Sequence, residues 1–150
     1  MPRDPRLATP DDLPAIGAII RDAYTPFIRR IGREPGPMSD DYALLVSRGR
    51  VHVLEQGGAV QGLVVLIPEA EAMLLDNLAV APAAQGSGLG RRLLDFAEQR
   101  AREAGHRAIR LYTNEAMTEN IALYARRGYA ETHRAEEKGL KRVFMRKPLA

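Results

Sequence analysis

The sequence predicts a mixed α/β fold: one sheet with helices on both faces. Three observations point there. A strand–helix–strand run near residues 72–113 requires one right-handed parallel crossover. The turns at Gly57-Gly58 and Lys138-Gly139 join neighbouring strands as antiparallel hairpins. An apolar content of 45% over 150 residues suffices for a core between such layers, and the length suits one domain spanning residues 1–150.

The elements follow in order. Arg3 to Ala8 is a short extended lead. Thr9-Pro10-Asp11-Asp12 starts a helix: Thr9 caps, Pro10 suits the first helical position, and the two acids favour the positive end of the helix dipole. Leu13, Ile16, Ile19, Ile20 and Tyr24 repeat at the helical period and define one buried face. Thr25–Pro37 reads as irregular, because Gly32, Pro35, Gly36 and Pro37 break long elements. Ser39 or Asp40 starts a second short helix carrying Tyr42, Leu44, Leu45 and Val46. Val51–Glu55 is a strand, and Gln56-Gly57-Gly58 turns it into Ala59–Ile67, an apolar run suited to burial on both faces, which Pro68 ends. Ala72–Val80 is another apolar strand, interrupted by Asp76-Asn77.

A helix follows from Leu89 to Ala104. Leu89, Leu93, Leu94, Ala97, Ala101 and Ala104 form its inner stripe, and Arg91, Arg92, Asp95, Glu98, Arg102 and Glu103 its outer face, with Gly105 as cap. Arg107–Thr113 is a strand and Thr118–Arg127 a short helix stopped by Gly128. Tyr129–Arg134 and Leu140–Lys147 are the last two strands.

Composition removes several classes of function. With no cysteine, disulfides, thiolate metal sites and a cysteine nucleophile are excluded. His52, His106 and His133 show no metal-ligand spacing, so no metal is expected. No apolar run approaches the roughly 20 residues of a membrane span, and Met1-Pro2-Arg3-Asp4-Pro5 lacks the apolar stretch of a secretory signal; the expected location is the cytoplasm. The net charge of +3 is uneven: residues 1–99 hold 10 basic and 13 acidic side chains, residues 100–150 hold 12 and 6. That excess favours anionic ligands but is not clustered like a nucleic-acid arm.

The chemistry starts at Gln85-Gly86-Ser87-Gly88-Leu89-Gly90, between an apolar strand and an amphipathic helix. Bare backbone N–H groups aimed by a helix N-terminus form a phosphate site. A dinucleotide fingerprint fails here, because the sixth position counted from Gly86 is Arg91 rather than glycine. A P-loop fails as well, because Arg91-Arg92 stand where Lys and Ser/Thr are needed. A tight connection in which glycine only relieves sterics is the plain structural alternative.

Leu75-Asp76-Asn77-Leu78-Ala79-Val80-Ala81-Pro82, followed by Gln85 to Arg91, resembles the acetyl-CoA-binding motif of the GNAT N-acetyltransferase superfamily. Gln85, Gly88 and Gly90 match its pattern of Gln or Arg, two residues, Gly, one residue, Gly or Ala. A second family motif stands downstream as Asn120-Ile121-Ala122-Leu123-Tyr124 and Gly128-Tyr129. The resemblance covers roughly residues 60–147; the first 50 residues match only in their strand–helix–helix outline. It implies a mostly antiparallel sheet of six to seven strands, a splayed parallel pair and about four helices.

It also implies a division of labour. Gln85, Gly86, Ser87, Gly88, Leu89 and Gly90 would hold the pyrophosphate of acetyl-CoA. Arg91 and Arg92 would stand near its 3′-phosphate, or form a solvated helix face. Leu78, Ala79 and Val80 would offer backbone to the pantetheine arm, between strands ending at Val80 and near Asn114. Asn120 would hydrogen-bond that arm, and Tyr124 would be the general acid. A phenol stays protonated at neutral pH and can donate.

The base is open. Some family members carry a Glu where this sequence has Leu74. Asp76, on the same strand face, would act as base, work through water, orient the acceptor, or satisfy backbone at a strand bulge. Glu115 and Glu71 are weaker candidates. The acceptor side falls to the N-terminal helices, with Tyr24, Arg29, Arg33, Met38 and Tyr42; the arginines suit a carboxylate or phosphate. The implied reaction is acetyl transfer to a primary amine of a small molecule, amino acid or peptide. The alternative is a non-catalytic acyl-CoA-binding regulatory domain. Dimers are common in such families, which leaves a homodimer open.

Overall fold

The computed structural model describes residues 4–149. The extended lead expected from Arg3 therefore begins outside the described residues. Chain order is β1 (Arg6–Leu7), α1 (Leu13–Ile31), α2 (Tyr42–Ser47), β2 (Val51–Gln56), β3 (Ala59–Pro68), β4 (Met73–Val80), α3 (Leu89–Glu103), β5 (Ala108–Asn114), α4 (Thr118–Arg126), β6 (Ala130–Glu137) and β7 (Leu140–Pro148). Single 3₁₀ turns precede α1, α2 and α3.

One seven-stranded sheet carries these elements in the order β1-β2-β3-β4-β5-β7-β6. Every neighbouring pair is antiparallel except β4 and β5, which are parallel across the α3 crossover. The central strands β3 and β4 are buried on both faces. Val64 and Leu66 of β3 pack with Leu93, Leu94, Ala97 and Ala101 of α3. Leu63 and Val65, pointing the other way, pack with Ile16, Ile19 and Ile20 of α1. Gly62 lets α3 come close: a Cβ there would stand 2.9 Å from Leu93 Cδ1 and 3.4 Å from the Ala79 carbonyl oxygen.

Two local readings are corrected. The first helix does not end near Tyr24. It runs to Ile31 with Pro26 inside it, and Gly32 ends it in the left-handed region. The apolar stripe continues past Tyr24, since Phe27 and Ile31 pack on the same core, and that burial offsets the roughly 3 kcal/mol cost of an internal proline. Glu98, expected on the outer face of α3, is only 6% exposed. Its carboxylate accepts hydrogen bonds from Lys147 Nζ at 2.8 Å and the Tyr129 hydroxyl at 3.0 Å. Both partners come from beyond the helix, so α3 alone could not reveal them.

His52 of β2 is 7% exposed and packs on Phe96 of α3, with ring centroids 4.9 Å apart. Its Nδ1 has no hydrogen-bond partner among the described residues. Burial, helped by nearby Arg100, holds its pKa down at about 4 against 6.5 in the open chain. Between those values the unfolded chain binds the proton and the folded one does not. Stability should therefore be fully present above about pH 6.5, fall as pH drops from 6.5 to about 4, by about 3 kcal/mol, and level off below that. Urea unfolding of wild type and His52→Leu between pH 4 and 8 checks this: the variant should lack that part of the acid slope, and equal slopes would overturn it.

Candidate active site

β4 and β5 touch only briefly. Their parallel register covers Met73↔Ile109, Leu74↔Arg110 and Leu75↔Leu111. Beyond that, β4 stays with β3 to Val80 and β5 stays with β7 to Asn114, so the two strands part. The parting begins at a bulge: Leu66 pairs with Leu75 and Val65 with Asn77, which leaves Asp76 as the extra residue. Met73 and Leu75 before the bulge, and Leu78 and Val80 after it, all pack on the α3 side. Asp76 and Asn77 consequently both turn away from α3, side by side.

The parting opens a cleft. Its walls are Leu75–Leu78 of β4 and Leu111–Asn114 of β5. Tyr24 and Pro35–Pro37 stand on one side, Asn120 and Tyr124 of α4 on another, and Leu140 and Arg142 close it. A second groove adjoins it, sharing Tyr24, Leu78, Met117 and Asn120, and runs past Val80 to Gln85, Gly86 and Gly90.

The glycine loop stands at the far end of that groove. Gly86 and Gly88 have φ of +84° and +88°, and Gly88 is the N-cap of α3. The first N–H groups of α3, from Leu89, Gly90 and Arg91, have no intrahelical acceptor and sit at the positive end of the helix dipole. Gln85 Nε2 donates to the Val80 carbonyl at 3.2 Å and fastens the loop to β4. The Ser87 hydroxyl is already committed to the Ala84 carbonyl. Leu89's side chain is buried in the core, so only its backbone can face a ligand. These features fit a pyrophosphate: bare N–H groups and the positive end of a helix dipole.

Tyr124 is 9% exposed, and its ring meets Tyr129 edge-on at 5.7 Å. Its hydroxyl has no hydrogen-bond partner among the described residues, and burial pushes its pKa up to about 12. Tyr129 in turn is held by Glu98. Across the cleft, the Tyr112 hydroxyl donates to Asp76 at 2.7 Å, and Arg142 lies over the Tyr112 ring at 4.4 Å. The Tyr24 hydroxyl donates to Asn77 Oδ1, Asn77 Nδ2 to the Tyr42 oxygen at 3.0 Å, and the Tyr42 hydroxyl to the Pro37 carbonyl at 2.7 Å. That chain ties α1, β4 and the turn before α2 into one wall.

Residues 15–129 match the model of the acetyltransferase (GNAT) family. The chain belongs to that family. A ribosomal-protein-S18-alanine N-acetyltransferase from Escherichia coli superposes with a TM-score of 0.78 at 21% identity, covering 100% of this chain and 95% of that one. A ribosomal-protein-alanine N-acetyltransferase from Brucella melitensis gives 0.77 at 28% identity, covering 97% and 99%. An IAA acetyltransferase from Azospirillum brasilense is 44% identical over 52 residues, 35% of this chain and 34% of that protein. This chain thus matches about a third of the length of that curated relative.

Against the GNAT reading of the sequence, the cleft brings together Tyr24, Asp76, Leu78, Asn114, Asn120 and Tyr124. The adjoining groove adds Ala79, Val80, Gln85, Gly86 and Gly90. Tyr42 stands behind the wall, reached through Asn77. Three acceptor candidates lie elsewhere. Met38 packs on the α1 core. Arg29 lines neither space, and Arg33 donates to the Lys138 carbonyl at 2.8 Å, joining the turn before α2 to the β6–β7 hairpin. Glu115 pairs with Arg134 at 3.8 Å, away from the cleft. Asn77, Tyr112 and Arg142 escaped sequence reasoning. Only Asn77 left a trace, as half of a polar pair inside an apolar strand.

Proposed function

We propose that this chain transfers the acetyl group of acetyl-CoA to a primary amine of a small molecule, amino acid or peptide. One observation carries the reading: the cleft that holds Tyr124 and Asp76 adjoins a groove ending on the glycine loop. Backbone N–H groups at Gly88, Leu89 and Gly90 would hold the pyrophosphate, with Arg91 alongside. The unpaired edge of β4 from Leu78 to Val80 would receive the pantetheine arm as an added strand, and Asn120 would bond to it. A structure of the same fold, the Thermoplasma acidophilum PaiA N-acetyltransferase, is in complex with coenzyme A (TM-score 0.78, 16% identity), which supports acetyl-CoA as the co-substrate.

Acetyl-CoA supplies an acyl carbon already activated as a thioester. The amine nitrogen bonds to that carbon as the carbon–sulfur bond breaks. An ammonium has no lone pair, so one proton must leave it first; Asp76, directly or through water, would draw it off. Tyr124, kept neutral by burial, holds a proton at its oxygen for the departing sulfur. The bulge at Asp76 gives the carboxylate a second role, as the acceptor that orients Tyr112.

Thiol release from acetyl-CoA across a panel of amines tests the reading. Turnover with at least one amine is the expected result. Tight CoA binding without turnover on any amine would support a regulatory acyl-CoA-binding domain instead.

A further inference from the structure

The acceptor end of the cleft carries two opposite charges that neither the glycine loop nor Tyr124 uses. Both are anchored on one ring. The Tyr112 hydroxyl donates to Asp76 at 2.7 Å, and the Arg142 guanidinium covers the ring face at 4.4 Å. The Arg142 side chain is 18% exposed and, among the described residues, makes one hydrogen bond, from Nη1 to Glu137 at 3.4 Å. A guanidinium offers five N–H donors in a planar fork. Most of this fork has no acceptor among the described residues, although it lines the cleft. Gly36 makes room for it: a Cβ there would stand 3.2 Å from Nη2.

This arrangement disfavours two kinds of acceptor. A polycation would meet Arg142 as a like charge inside a cleft of low dielectric. A neutral amine without an anion would leave most of the guanidinium's donors without an acceptor. An amine that bears its own carboxylate satisfies both walls. We infer, on the transferase reading above, that the acceptor is a small amino acid and that Arg142 is its specificity-determining residue, with the guanidinium receiving the carboxylate while Asp76 draws the ammonium.

The test is thiol release with matched triplets, a free amino acid, its amide and its decarboxylated amine, on wild type, Arg142→Gln, Arg142→Lys and Arg142→Glu. Wild type should prefer the free acid by about tenfold or more in kcat/KM, chiefly through KM. The ratio should collapse to about one in Arg142→Gln, persist in part in Arg142→Lys, where the charge remains without the fork, and invert in Arg142→Glu. CoA titration and a thermal melt on each variant separate loss of fold from loss of preference. Amides, peptides or decarboxylated amines used as well as free acids by wild type would overturn the inference alone. So would a free-acid preference that survives Arg142→Gln. No release from any amine, with CoA bound, would overturn the transferase reading and this inference with it.

Discussion

Replacing Gly88 with valine should abolish measurable CoA binding while leaving most of the fold in place. The reason is backbone conformation, not space. A Cβ at position 88 would meet nothing closer than Arg91 Nη2 at 3.8 Å. Its φ of +88°, however, lies where a β-branched residue pays about 1–3 kcal/mol of strain. The chain relieves that strain by turning the residue, and Gly88 is the N-cap of α3, so the turn re-aims the first N–H groups of the helix together. Charge-assisted bonds from such groups contribute about 1.5–3 kcal/mol each. Losing two or more of them should raise the CoA dissociation constant roughly 100-fold or beyond. Calorimetric titration measures it, and a melt within a few degrees of wild type shows that α3 still docks. An affinity within threefold of wild type would remove the loop from the binding site.

The sequence made much of this fold legible because most of its signals are local. The stripe of α3, the two-faced apolar run of β3 and the Gly57-Gly58 turn each predict their element from a few adjacent residues. The failures share a physical cause, a partner distant in sequence. Glu98 sits on the polar side of a helical wheel, yet Lys147 and Tyr129 arrive from β7 and the turn between α4 and β6 to bury it. Arg142 looks like any exposed strand arginine until β5 brings Tyr112 beneath it. The expectation of a phosphate site at the glycine loop could be drawn from sequence because it rests on backbone chemistry, written in three glycines. The acceptor end was not, because it is assembled from β4, β5, β7 and the turn before α2. The bulge at Asp76 is the clearest case. Strict alternation puts Asp76 and Asn77 on opposite faces, but one extra residue puts them on the same one and builds a wall from both.

Tyr124→Phe should lower turnover by about 10²–10³-fold while leaving CoA affinity within threefold. The substitution keeps the ring and its edge contact with Tyr129, and it removes a hydroxyl that no described side chain or carbonyl uses. No buried partner is orphaned, so stability should change little. What is lost is a proton held at the phenol oxygen. Because burial pushes the pKa up to about 12, the wild-type hydroxyl stays protonated across pH 6–10, and the defect should be constant over that range. A structural role for Tyr124 predicts something else: a fall in CoA affinity and in melting temperature together with the rate. Turnover within twofold of wild type would reject the general-acid assignment and leave the amine's own proton, or water, to accompany the departing thiolate. Measured with saturating acetyl-CoA, the kcat of the variant therefore reads the proton alone, separately from the grip of the glycine loop at the other end of the groove.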